Sequence, residues 1–92
     1  MSVKVYYTTV TGSRGVKSSQ AEVIRVLDAK GVKYELIDIS QENSLKEEMR
    51  KKTGIPDACP PQIFNGEQYC GGHEDFVEAV EGDTVMKFLK LD

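Results

Sequence analysis

The groups most able to do chemistry in this chain are few: two cysteines, Cys59 and Cys70, and one histidine, His73. Cys70-Gly71-Gly72-His73 sets a thiol and an imidazole three residues apart. Tetrahedral zinc sites draw four ligands from paired motifs, and this chain offers one short pair, so no metal site is expected. Both cysteines read as free thiols. Cys59 stands just ahead of Pro60-Pro61, and no cation close to it in sequence activates it; Cys70 falls at a strand end. Gly12-Ser13-Arg14-Gly15-Val16-Lys17-Ser18 has the residue types of a phosphate loop. It fails the Gly-x-x-x-x-Gly-Lys-Ser/Thr spacing because Lys17 follows Val16. Arg14 is a cation near a helix start, where it opposes the helix dipole. It either turns to solvent or meets an anion held with the free N–H groups after Gly12 and Gly15.

The elements that must position these groups follow from periodicity. Val3 to Thr8 is β-branched and aromatic and predicts a strand. Val16, Val23, Ile24 and Leu27 fall at helical spacing, predicting an amphipathic helix over 16–30 that Gly31 ends. Tyr34 to Ile39 predicts a second strand. Ser44-Leu45-Lys46-Glu47 has the form of a capping box and opens a helix closed by Gly54-Ile55-Pro56. Its apolar stripe is only Leu45 and Met49, which suggests a lightly packed, mobile element. Gln62-Ile63-Phe64, Asn65-Gly66 and Glu67-Gln68-Tyr69-Cys70 predict a hairpin on a type I′ turn, broken by Gly71-Gly72. Phe76, Val77 and Val80 mark a third helix. Val85, Phe88 and Leu89 mark a fourth, with Asp83 as its N-cap. The order βαβαββαα, with a right-handed parallel crossover and an added hairpin, gives an α/β four-stranded mixed sheet with helices on both faces. That is the thioredoxin-like fold.

Composition removes several classes of function. The chain has 92 residues, enough for one domain spanning 1–92. Twelve Lys+Arg against 15 Asp+Glu leave a net charge of −3, which argues against nucleic acid as a partner. No apolar run approaches the ~20 residues of a membrane span. The opening Met1-Ser2-Val3-Lys4-Val5-Tyr6 lacks the features of a signal peptide. Two cysteines are too few for a disulfide scaffold, so a reducing cytosol is expected.

Five segments carry a resemblance that spans the chain: Val10-Thr11-Gly12-Ser13-Arg14, Leu36 to Gln41, Pro60 to Gly66, Gln68-Tyr69-Cys70-Gly71, and Phe76 to Glu81. With these residues the sequence resembles the SH3 domain-binding glutamic acid-rich-like family, in one of its short forms. More distantly it is similar to glutaredoxins, which share the strand, active-site loop and helix, a Val-Pro-Gln-Val-Phe-like segment and a Gly-Gly-x-Asp-Asp-like turn. The glutaredoxin loop carries Cys-x-x-Cys or Cys-x-x-Ser, and the matching positions here are Thr11-Gly12-Ser13-Arg14. Disulfide exchange needs a thiolate, which that loop normally favours by lowering a thiol pKa from about 8.5 toward 7 or below. A hydroxyl cannot replace it at neutral pH.

The resemblance implies further expectations. Pro61 aligns with a cis-proline. The residue before that proline pairs its backbone with the cysteinyl unit of glutathione in glutaredoxins; here it is Pro60, which has no N–H to give. Gly71-Gly72-His73-Glu74-Asp75 matches the turn that holds the γ-glutamyl end of glutathione, although acids at a helix start also serve as ordinary capping residues. The expected ligand groove is thus Thr11, Gly12, Ser13, Arg14, Cys59, Pro60, Pro61, Gly72, His73, Glu74 and Asp75. No cofactor is required, and glutathione is the one small molecule the groove suggests. The implied function is binding without catalysis, as a modulator of glutaredoxin activity or a protein–protein adaptor. Implied partners are glutaredoxin clients and cytoskeletal or signalling proteins, with the chain a monomer in cytoplasm and nucleus. The alternative is a glutathione-dependent oxidoreductase using Cys59 or Cys70. Despite the family's name, SH3 binding is not expected. The prolines stand at 56, 60 and 61 with no Pro-x-x-Pro, and a strand is not the polyproline II conformer SH3 domains read. The glutamic-acid-rich tail of longer relatives does not occur in these residues either.

Overall fold

The computed structural model describes residues 3–91; Met1 and Ser2 of the opening segment, and Asp92, lie outside them. Alternation in β1 (Val3–Tyr7) sends Val3 and Val5 into one core and Tyr6 into another. β1 pairs parallel with β2 (Tyr34–Asp38), Val5 opposite Leu36. On its other side β1 pairs antiparallel with β3 (Gln62–Asn65), Val5 opposite Ile63. β3 continues by a hairpin into β4 (Gln68–Gly72), so the strand order is β2-β1-β3-β4.

Four helices cover the sheet. α1 (Arg14–Ala29), α3 (His73–Glu81) and α4 (Val85–Phe88) close the Val3/Val5/Ile63 face, with Val23, Leu27, Phe76, Ala79 and Val85 buried there. α2 (Asn43–Thr53) covers the opposite face, where Met49 packs with Tyr6, Ile39, Ala58 and Phe64. Tyr6 and Phe64 meet edge to face at 5.3 Å between ring centroids. The expected element order and the two-faced sheet are both present, as is the cis peptide between Pro60 and Pro61.

The ends of the elements depart from the sequence expectations for local reasons. α1 begins at Arg14 rather than 16, because the Ser13 hydroxyl caps it by accepting the Val16 N–H at 3.2 Å. The Ser44-x-x-Glu47 box does not form. Glu42 is the N-cap, with no side-chain cap bond, and Ser44 lies inside the helix, donating to Glu42 at 3.3 Å. Thr84, not Asp83, caps α4, and Asp83 takes a left-handed φ of 54°. The hairpin loop is Gly66-Glu67 between Asn65 and Gln68. Gly66 carries positive φ in that turn and Glu67 does not, which is the II′ pattern rather than I′. Gly71-Gly72 does not break β4 but belongs to it. The register slips there: Ile63 faces Gly71 and Phe64 faces Tyr69, leaving Cys70 as the extra residue of a bulge. Gly71 has φ +149°, and a Cβ on it would come within 2.9 Å of Asp75 and Phe88. The bulge therefore requires glycine at that position.

α2 does have the narrow stripe its sequence suggests: Met49 is its one fully buried residue, with Leu45 partly buried beside it. Most of its packing energy therefore rests on one side chain. Met49→Ala is expected to lower unfolding stability by about 2–4 kcal/mol, read as a drop in the urea midpoint with the slope unchanged.

Candidate functional site

Where β1 and β3 stop pairing at the same end of the sheet, two loops need other partners for their backbone groups. Gln20, buried in α1, meets the first loop with both ends of its amide. The Thr8 N–H donates to Gln20 Oε1 at 2.9 Å, and Gln20 Nε2 donates to the Thr8 carbonyl at 3.0 Å. Gln62, buried at the start of β3, ties the second loop to β4. It accepts the Tyr69 hydroxyl at 2.6 Å and donates Nε2 to the Cys59 carbonyl at 2.7 Å. A Cβ on Gly72 would lie 3.3 Å from this amide, so the glycine leaves it room.

Asp38 ties the first loop to the end of β2. Its carboxylate accepts from the Ser40 hydroxyl at 2.6 Å, the Thr9 hydroxyl at 2.7 Å, the Ser40 N–H at 2.9 Å and Gln41 Nε2 at 3.2 Å. The Ser40 hydroxyl above all, joined by Thr9 and Gln41, outweighs desolvation and holds the carboxyl well below the usual carboxylate range.

Between these loops and α2 lies a cleft of about 350 Å³. The segment after β1 and the head of α1 contribute Thr8, Val10, Thr11 and Val16. Ile39 and Ser40 follow β2; Asn43, Lys46 and Arg50 come from α2; Cys59 and Pro60 complete the lining. Arg50 Nε donates to the Ala58 carbonyl at 3.1 Å, fixing the guanidinium beside the Cys59 segment. Among the described residues no carboxylate lies within 4 Å of Lys46 or Arg50.

Of the residues expected to form one groove, Thr11, Cys59 and Pro60 line this cleft. Gly12, Ser13 and Arg14 are exposed at the head of α1, with Ser13 engaged as the cap, and Pro61 is buried behind Pro60. The Gly72–Asp75 turn does not line the cleft. Gly72 packs on Gln62; His73 reaches Glu22 of α1, Nε2 to Oε1 2.6 Å; Glu74 and Asp75 are exposed in the first turn of α3. Asp75 instead shares a shallow surface with Cys70, Glu78, Lys87 and Phe88. The grouping by sequence thus divides between two places: the cleft lies beside the ends of β1 and β2 and α2, and the turn follows edge strand β4. The residues that sequence reasoning missed are Lys46 and Arg50. They stand four apart, each one position after Leu45 and Met49 of the buried stripe, so helical spacing already set them side by side on one flank of α2. They bring cations to the cleft that holds Cys59, where the neighbouring sequence offered none.

The two thiols differ. Cys59 is exposed, its S–H directed to the Asp57 carbonyl at 3.5 Å. Cys70 is half-buried in the bulge, and burial pushes its thiol up against the smaller pull of Lys90 and the Asn65 N–H. No group of three or more His, Cys, Asp and Glu side chains among the described residues is placed to hold a metal ion. No helix among them is long and apolar enough to cross a membrane.

Comparison with known proteins bears on this geometry. The model of the family described as SH3-binding, glutamic acid-rich protein matches residues 1–92. The chain belongs to that family. A Drosophila melanogaster SH3 domain-binding glutamic acid-rich protein homolog is 38% identical over 103 residues. That match takes in 99% of this chain and 65% of the relative, so the chain spans about two thirds of the relative's length. Among solved structures, the C. albicans actin interacting protein Aip5 superposes with a TM-score of 0.78 at 19% identity, over 96% of this chain and 87% of that one. A buckwheat glutaredoxin in complex with glutathione gives 0.73 at 21%, over 96% and 76%. The Brucella melitensis glutaredoxin gives 0.73 at 26%, over 99% and 90%. This member of the SH3-binding, glutamic acid-rich family therefore has the glutaredoxin-like form of the thioredoxin-like fold.

Two outcomes follow from the site. Asp38 has a depressed folded pKa, so its contribution to stability is present above the unfolded carboxyl value, about 3.9, and is lost as pH falls through the folded value. Asp38→Asn is expected to be less stable than the parent at neutral pH, with the gap closing as pH drops below about 4 in urea titrations. Iodoacetamide near neutral pH is expected to alkylate Cys59 at least about tenfold faster than Cys70, read by peptide mass spectrometry.

Proposed function

We propose that this domain works by binding rather than by turnover, as a modulator of glutaredoxin activity or an adaptor between proteins. The observation that carries this reading is the head of α1. The fold aims that helix start at the position of the attacking sulfur in glutaredoxins, and here the segment is Thr11-Gly12-Ser13-Arg14. Its serine hydroxyl is already committed to capping the helix. A cleft remains beside it, so the fold keeps a place for a guest without a thiol at the helix start to transform one. Pro60 lines that cleft and has no N–H to offer an extended ligand, which favours partners recognised by side chains over glutathione. The likeness to an actin interacting protein supports a cytoskeletal protein among the partners. The two free thiols fit a reducing compartment, cytoplasmic and nuclear.

The competing reading is a glutathione-dependent oxidoreductase. The exposure of Cys59, in a cleft that also holds Lys46 and Arg50, favours it over Cys70 in that role. Reduction of a glutathione mixed disulfide, coupled to glutathione reductase, separates the two. The expected result is a rate no higher than the uncatalysed reaction. Turnover that disappears in Cys59→Ser establishes the enzyme and overturns the binding reading.

A further inference from the structure

The cleft lies between the starts of two helices, and neither carries an acid in its first turn. Acids are the residues that complement a helix dipole there, and α3 has two, Glu74 and Asp75. α1 instead begins with Arg14, and the opening turn of α2 ends on Lys46. Arg50 follows one turn later and lines the same cleft. Its Nε–H is spent on the Ala58 carbonyl, which orients the guanidinium and leaves its two NH₂ groups for a carboxylate. Among the described residues no carboxylate lies within 4 Å of Lys46 or Arg50, and the lining itself holds these two cations and no acid. In a chain of net charge −3, this lining is cationic. Beside the cations the lining mixes polar Thr8, Thr11, Ser40 and Asn43 with apolar Val10, Val16, Ile39 and Pro60, and Val10 is 76% exposed.

Resting on the reading of this domain as a binding module, we propose that the cleft takes an acidic segment of a partner protein. A Glu or Asp carboxylate pairs with Lys46 and Arg50, and an adjacent apolar side chain covers Val10 and Pro60. Charge complementarity argues for the acid, and the uncovered valine for its apolar neighbour. The volume is near the lower end of ligand clefts, ~300–1,000 Å³, which suits a short extended stretch of chain.

The test is a heteronuclear NMR titration with an N-acetylated, C-amidated Glu-Glu-Val-Glu-Glu-Val peptide against its Gln-Gln-Val-Gln-Gln-Val counterpart. The expected result is saturable shifts at the Thr11, Lys46 and Cys59 amides, weakened by salt, with the glutamine peptide about tenfold weaker or worse. Lys46 is exposed, so Lys46→Glu keeps the fold, checked by unchanged shifts in the Val3/Val5 core, and is expected to weaken the acidic peptide about tenfold. Equal binding of the two peptides, shifts confined to another surface, or indifference to Lys46→Glu overturns the proposal. So does free glutathione saturating the same amides at a concentration as low as the peptide's. If the peptide fails while the mixed-disulfide assay stays silent, the assignment of this cleft falls and the binding reading stands. Turnover in that assay removes the binding reading itself.

Discussion

Strand pairing ends at the edge of this sheet, and the backbone groups beyond it must still find partners. That requirement governs the site. Gln20 and Gln62, two buried amides, meet it from opposite sides, each joining one loop to a neighbouring element. A carboxamide suits the task because it offers a donor and an acceptor without charge, and so can be buried at little cost once both are used. With either amide removed, the loop it serves would leave polar groups without partners, at about 1–3 kcal/mol each if they stay buried. These two side chains hold the loops whose residues line the cleft, though neither lines it.

The same end of the molecule bears on what a helix start offers when no thiol stands on it. A helix start lowers the pKa of a thiol placed on it, and that electrostatic asset survives without the thiol. Here the Ser13 hydroxyl makes the capping bond, Arg14 opens α1, and Lys46 and Arg50 line the cleft beside it. The cleft lining keeps two cations that no carboxylate among the described residues approaches within 4 Å.

Much of this was legible in the sequence. Strands alternate in period two and helices in period 3.6, so Val3, Val5, Ile63, Val23, Leu27 and Phe76 announced their elements and the mixed sheet. What periodicity does not carry are the ends. Arg14 and Gly15 carry no apolar signal, so only the Ser13 cap locates the start of α1, and the Ser44-x-x-Glu47 pattern lost to an N-cap two residues earlier, at Glu42. The site was legible in part. Thr11, Cys59 and Pro60 converge because the fold brings the loops after β1 and before β3 together. Gly72–Asp75 follows edge strand β4 and stays off that cleft, and His73 there meets Glu22, a contact between residues 51 apart that no local pattern reveals. Lys46 and Arg50 went unnoticed because charges on a helix beside a thin apolar stripe look like an ordinary solvated face.

The bulge at Cys70 has a bearing on how copies of this chain meet in solution. β4 is an outermost strand, and such strands offer a row of vacant hydrogen-bonding groups that another molecule can extend. The inserted residue throws that row out of step within a five-residue strand. An incoming chain would match it for a residue or two and then lose alignment, so this margin of the sheet is a poor template for self-assembly.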